Sequence, residues 1–415
     1  MAPHLARPLA PYSFLQTARV EVSISEISYI ALVRRIGREL SRNAPLEERQ
    51  MSRSIFMRRW TGAALLLLLL TPAIFNARAA DQQTDFTIDA RSRKDVIANT
   101  LKILRERYVF PDVAKRMEEA IRGRVQRKEY DNVTSAKAFA KLLTDHLREV
   151  SHDKHIVVES SVAPIPERKN VEQTAQDREK DRARVRREES LGNYGFHKLE
   201  RLSGNIGYMD MSAFYHAEFG GETAAASMAF LSNTDALIID LRDNDGGRPD
   251  MVALLVSYLV DEPVELTGIY WRKDDRVQQS WTLPYVAGKK YLGKNVFILT
   301  SKEGTVSAAE ALVYNLKILK RATIVGETTA GAANPGGMAR VTEHFSMFVP
   351  TGRAYHPITR SNWEGVGIKP DIEVPASTAL KTVHIEALKR LEAASRDEGQ
   401  KQTLRGLIQA REKQQ

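Results

Sequence analysis

The chain contains no cysteine. Disulfides, thiolate metal sites and a cysteine nucleophile are therefore excluded, although the absence identifies no compartment. Aromatic residues make up only 7%, and none are interleaved with basic residues in the stripe that nucleic-acid binding needs. There is no phosphate loop and no dinucleotide fingerprint. There is no internal repeat. His152 and His155 stand three apart without a further ligand set, so neither a metal nor a cofactor is expected. No apolar run reaches the roughly 20 residues that span a bilayer; Gly62 to Leu70 is uninterrupted but short.

The 415 residues are 43% hydrophobic and 27% charged. This is ordinary globular composition, with room for two or three domains. It excludes wholesale disorder, collagen and a multi-span membrane protein. The net charge of +9 is unevenly placed, because residues 1–80 hold eleven arginines against five glutamates. What remains over 81–415 is only +3, no argument for a nucleic-acid partner.

The amino terminus reads as an address. Residues 57–80 combine Arg58 and Arg59, the apolar run, and Ala77-Arg78-Ala79 as a cleavage site. We expect a signal peptide over 51–80, cut near Ala79 or Ala80, and a periplasmic or secreted product. An uncleaved segment would instead anchor the chain or give it a transient membrane contact. Residues 1–50 read as a non-native or disordered extension, with translation starting at Met1, Met51 or Met57.

Residues 81–164 read as a small helical N-terminal domain. Val96, Leu101, Leu104 and Tyr108 form one stripe, and Ser135 caps a helix bearing Phe139, Leu143 and Leu147 on one face. Residues 165–195 are strongly charged with little apolar content and read as an exposed linker or solvated helix. From 196 to 376 the pattern changes. Short apolar runs at 206–209, 236–241, 295–300 and 322–325 alternate with helical stretches at 251–260 and 308–319, which implies an α/β core with parallel strands and crossover helices. Residues 377–415 read as a helical C-terminal tail that frays after 398.

Ligands in such a core sit beyond the carboxyl ends of the strands. Two ends carry unusual sequence: Arg242-Asp243-Asn244-Asp245-Gly246-Gly247 and Ser301 to Glu310. Ser307 opens a helix, where the dipole and free N–H groups favour developing negative charge. The N–H of Ala308 could donate to an oxyanion. Ser307-x-x-Glu310 is equally a capping box with a purely structural task. Gly246-Gly247 is either a tight turn, with Pro249 in the first helical turn, or a source of unshielded N–H groups for an oxyanion hole. The roles of Arg242 and Asp243 stay open.

The strings LIIDLRDNDGG, ILTSKEGTVSAAEALVYNLKILKRATIVGETTAGAANPGG and NWEGVGIKPDIEV resemble the tail-specific (C-terminal-processing) peptidase family. That family also holds the interphotoreceptor retinoid-binding proteins and the core of tricorn protease. SHDKHIVV and GFHKLERLSGNIGYMDMSAF add to the resemblance, which covers roughly 95–376. It implies a crotonase-like (ClpP-like) α/β core and a serine peptidase acting on peptide or protein substrates. Ser307 matches the nucleophile, and Gly246-Gly247 with Ala308 the oxyanion hole. The processing branch pairs serine with a lysine, but GETTAGAANP places Ala332 and Ala333 there, and Lys302, Lys317 and Lys320 match nothing. No insert for a peptide-binding PDZ module is evident.

The tricorn-like branch implies Ser-His-Glu, with His155 as base and Glu364 as its acid. His155 could alternatively be structural, and Glu364 could pair with Arg360 or cap the turn before Gly365. His152 is a spare base, Asp153 a residue that orients the histidine loop, and His216 a substrate-cleft residue alongside Gly247. The reading expects the His155 ring within hydrogen-bond reach of Ser307. It is thus a Ser307–His155–Glu364 peptidase with Gly246 and Ala308 as oxyanion donors. The alternatives are a non-catalytic binder of an apolar ligand on the same fold, and an acyl-thioester enzyme needing only the oxyanion hole. Fold alone does not choose among them.

Overall fold

The computed structural model describes residues 85–167 and 174–413. The expected extension over 1–50 and signal peptide over 51–80 lie outside the described residues.

Three helices come first: α1 (Ala90–Arg107), α2 (Pro111–Gln126) and α3 (Ala136–Ser151). Asp89 caps α1 by accepting from the Ser92 N–H at 2.7 Å, and Ser135 caps α3 by accepting from the Ala138 N–H at 2.9 Å. Proline opens α2, where its missing N–H costs nothing. The α3 face of Phe139, Leu143 and Leu147 is fully buried. Removing each from water is worth about 1.5–3 kcal/mol, so these helices need a partner surface. They find it in a three-stranded antiparallel sheet of β1 (Val157–Ser160), β10 (Phe345–Pro350) and β9 (Gly336–Arg340). Phe345, Met347 and Val349 join the helical core. The N-terminal domain expected at 81–164 is therefore completed by strands from much later in the chain.

The second layer system is α/β. A six-stranded sheet runs β12 (Ile372–Glu373), β8 (Thr323–Gly326), β7 (Asn295–Thr300), β4 (Ala236–Asp240), β3 (Ile206–Met211), β2 (Phe196–Leu202). From β12 to β3 every neighbour is parallel, and β2 is antiparallel. Every residue of β4 is buried, as a parallel strand covered on both faces requires. The crossovers are α5 (Ala217–Leu231), α6 (Pro249–Leu259) and α7 (Ala308–Ile318). These helices cover one face. The other is covered by α8 (Ala376–Ala394), while α9 (Glu398–Lys413) adds Leu404 and Ile408 to the same core. The expected fraying after 398 is thus not seen over 398–413. That segment's apolar stripe packs on α8.

A third sheet, β11 (Gly352–Tyr355), β5 (Glu265–Trp271), β6 (Arg276–Trp281), projects beside α6. The charged stretch forms α4 (Ala175–Leu191), with a Thr174–Asp177 capping box. It is anchored rather than free: Val185 and Glu189 are buried. Among the described residues no helix is long and apolar enough to cross a membrane.

Candidate active site

The carboxyl ends of β4 and β7 lie side by side, so their loops meet. Val306 donates its N–H to the Asn244 carbonyl at 3.1 Å, and the Thr305 hydroxyl donates to the Leu241 carbonyl at 2.8 Å. This pairing delivers Ser307 to the N-terminus of α7. Its backbone sits at φ 57°, ψ −115°, a conformation that a residue with a Cβ adopts only under strain. The side chain is only half-buried.

The diglycine turn packs against this residue. A Cβ on Gly246 would lie 2.8 Å from the Ser307 Cβ and 2.9 Å from the Ala308 nitrogen. Gly246 also has φ +85°, so only glycine fits. The structure corrects its expected role as an oxyanion donor, because its N–H is already given to Asn244 Oδ1 at 2.9 Å. The neighbouring Gly247 is different. Phe214 and the flanking residues Gly246 and Arg248 make the parallel bridge, which leaves the Gly247 N–H directed away from that strand. Asn244 organises the turn: it is fully buried, and its Nδ2 donates to the Met211 carbonyl at 2.8 Å.

Glu310 does more than close a capping box. Its buried carboxylate accepts from the Ser307 N–H at 3.0 Å, the Thr329 hydroxyl at 2.5 Å, the Gly331 N–H at 2.6 Å and the Ala332 N–H at 2.9 Å. Burial pushes its pKa up, and these four donors pull it back. The turn that carries Ser307 is thereby fastened to residues 329–332, which follow β8.

The same segment holds the other half of the site. Glu364 Oε2 accepts from the Ala333 and Asn334 N–H groups at 2.6 and 3.0 Å. Asn334 Nδ2 donates to Asp153 Oδ2 at 3.0 Å, as does the Tyr108 hydroxyl at the same distance. Asp153 Oδ1 accepts from the His155 N–H at 3.0 Å, which sets the turn from α3 into β1. The His155 ring stacks on Phe348 of β10. Lys154 Nζ donates to the Ala330 carbonyl.

One oxygen each of Asp153 and Glu364 and one ring nitrogen of His155 lie within 4.8 Å of one another. His155 Nδ1 is 3.9 Å from Asp153 Oδ1. Among the described residues neither His155 Nδ1 nor Glu364 Oε1 has a hydrogen-bond partner, and both atoms are buried. Burial holds the His155 pKa below its usual value, against the pull of Asp153. Burial and then the Asp153 carboxylate push the Glu364 carboxyl up to about 8. No hydrogen bond joins His155 to Ser307. Both are tied to the 329–334 segment.

The remaining expectations fare differently. His216 is not a cleft residue. It is buried, its Nδ1 lies 2.5 Å from Glu189 Oε1, and its carbonyl accepts from Phe219 and Gly220 at the start of α5. It pins α4 to the core. His152 ends α3 with a left-handed backbone and is exposed. Arg242 forks onto Asp240 at 2.9 and 2.6 Å, a structural contact. Sequence reasoning missed Tyr108, Asn244 and Asn334. Asn244 carried a signal, since an asparagine two residues before a glycine is an Asx-turn pattern. Tyr108 and Asn334 carried none.

The description "Peptidase family S41" matches residues 205–374, and "N-terminal domain of Peptidase_S41 in eukaryotic IRBP" matches residues 88–189. Chloroplastic carboxyl-terminal-processing peptidase 2 of Arabidopsis thaliana is 26% identical over 175 residues, 42% of this chain and 33% of that protein. A carboxy-terminal-processing protease of Bartonella bacilliformis is 26% identical over 178 residues, 42% of this chain and 40% of that one. The chain thus spans about a third of the length of the curated relatives it matches. A solved structure from Parabacteroides merdae, a candidate peptidase, shares the fold with a TM-score of 0.50 at 19% identity, covering 74% of this chain and 98% of its own. With both matches falling in order on the helical layer and the α/β core, the chain belongs to peptidase family S41 and carries an N-terminal domain of the IRBP type.

Proposed function

We propose that this chain is a serine peptidase that hydrolyses peptide bonds through an acyl-enzyme on Ser307. The observation that carries the reading is the strained, half-buried Ser307 at a helix N-terminus, with a Cβ-less residue pressed against the Ala308 nitrogen. That is how a chain exposes a hydroxyl beside N–H donors. The relatives' names, which speak of carboxyl-terminal processing, support the same class.

The Ser307 hydroxyl oxygen bonds to the substrate carbonyl carbon, and its proton passes to His155 Nε2. The carbonyl oxygen becomes an oxyanion, held by the N–H groups of Ala308 and Gly247. The intermediate collapses, and the departing amine takes the proton from His155. Water then repeats the sequence to release the acyl group. Glu364 orients the ring through Nδ1 and balances the imidazolium. His155 reaches Ser307 when substrate draws the helical layer onto the core.

A groove of about 580 Å³ runs between α5, α6 and the β5–β6 hairpin, and it begins at Pro249 and Asp250, just past Gly247. Leu254, Tyr258, Trp281 and Leu283 make it mostly apolar. It suits the apolar side chains of a peptide, and it is also the one feature favouring the second reading, a binder of an apolar ligand. We further propose export through the segment at 51–80.

The test is labelling of the purified chain with a fluorophosphonate probe, beside Ser307→Ala and His155→Ala. Loss of labelling in both variants is expected. Labelling that persists in His155→Ala moves the base elsewhere. An unlabelled wild type turns the reading to the binder.

A further inference from the structure

We propose that Asp153, His155 and Glu364 form a binding site for a divalent zinc-like cation, and that the bound ion switches the histidine off as a base. The three side chains place one ligand atom each within 4.8 Å of the others. Zinc bonds to histidine nitrogen and carboxylate oxygen span about 2.0–2.2 Å, so tetrahedral ligands stand roughly 3.4 Å apart. Side-chain shifts on the order of 1 Å would close the set. A water supplies the fourth position.

Three features favour an ion over a chance meeting of polar groups. First, His155 Nδ1 and Glu364 Oε1 are both buried without a hydrogen-bond partner among the described residues. Buried polar atoms are nearly always satisfied, and one cation satisfies both. Second, two carboxylates share a largely buried space, and a cation removes their repulsion. Third, outer contacts already aim the ligands. Asp153 Oδ2 is fixed by Tyr108 and Asn334, and Glu364 Oε2 by the Ala333 and Asn334 N–H groups. Metal sites rely on such outer contacts to orient their ligands. One imidazole with two carboxylates suits zinc better than calcium or magnesium, which prefer all-oxygen sets.

The consequence for activity rests on the peptidase reading. A metal on Nδ1 fixes the proton on Nε2, and an Nε2–H cannot accept the Ser307 proton. Zinc would thus be a reversible inhibitor that does not touch the nucleophile.

The experiment is calorimetric titration of Zn²⁺ into the chelator-stripped full chain, with fluorophosphonate labelling read in parallel. One ion per chain is expected in the wild type and in Ser307→Ala. Affinity should fall at least tenfold in Glu364→Gln and in His155→Gln, and stay unchanged in His152→Ala. Glu364→Gln keeps the side chain's volume, so the comparison survives if His155→Gln does not fold. An absence of stoichiometric binding, or equal affinity in wild type, Glu364→Gln and His155→Gln, overturns the site. Labelling should drop with zinc and return with chelator. Binding without loss of labelling overturns the inhibitory role. A chain that binds zinc but never labels leaves the site standing and removes the peptidase reading instead.

Discussion

Ser307 is held in a backbone region that costs about 1–3 kcal/mol for a residue with a side chain. Glycine enters that region freely, and alanine does not. Ser307→Gly should therefore be more stable than Ser307→Ala by about 1 kcal/mol in urea melts, although both variants lose probe labelling. Equal melts would mean that the turn stores no strain.

Glu364 carries a second cost at the same scale. Its folded-state pKa, about 8, lies above the ordinary carboxyl value near 4.5. The folded chain therefore binds this proton more tightly than the unfolded one, and the stabilisation is lost as pH rises through about 8. Measured in chelator, Glu364→Gln should match the wild type more closely at pH 5 and gain on it by pH 9. A pH-independent difference would sink the assignment. The Glu364 anion that the proposed mechanism requires is the form that burial disfavours, so labelling should rise over the window in which stability falls. This conflict between site and fold could not be read from sequence. Glu364 was visible as a candidate acid, but its second carboxylate neighbour lies more than two hundred residues away.

At the scale of elements, strand ends do the positioning. The strands β4 and β7 were legible because both are near-continuous apolar runs, and the loops after them stood out by composition. The task of Glu310 was only half legible. Ser-x-x-Glu announces a cap, while the two N–H groups and the hydroxyl contributed by 329–332 come from the far end of the next strand. A glutamine there would turn an amide NH₂ toward donors that need an acceptor. Glu310→Gln should destabilise the chain by about 2–4 kcal/mol and slow labelling at least tenfold, because the turn that carries Ser307 loosens. Wild-type melts and labelling would refute the role. Helix α4 taught the opposite lesson. Its charge pattern predicts a solvated helix, and most of it is one, yet Glu189 and Val185 bind it to the body through His216 and the core. Two buried residues do not alter a composition average.

At the scale of the whole molecule, the α/β core was legible and the helical domain's boundary was not. Antiparallel pairing of β1 with β10 depends on a return of the chain after some 185 residues, and no local pattern announces it. That return brings the histidine's loop to the serine's core.

The 329–334 segment, gripped by Glu310 on one side and by Asp153 and Glu364 on the other, also constrains how this chain can change over generations. A substitution in the helical layer and one in the first turn of α7 bear on different residues of the same six-residue segment. Their effects on fitness would depend on each other, so drift on one side restricts what the other side can tolerate. Lineages of this chain should change the two halves of the site in concert.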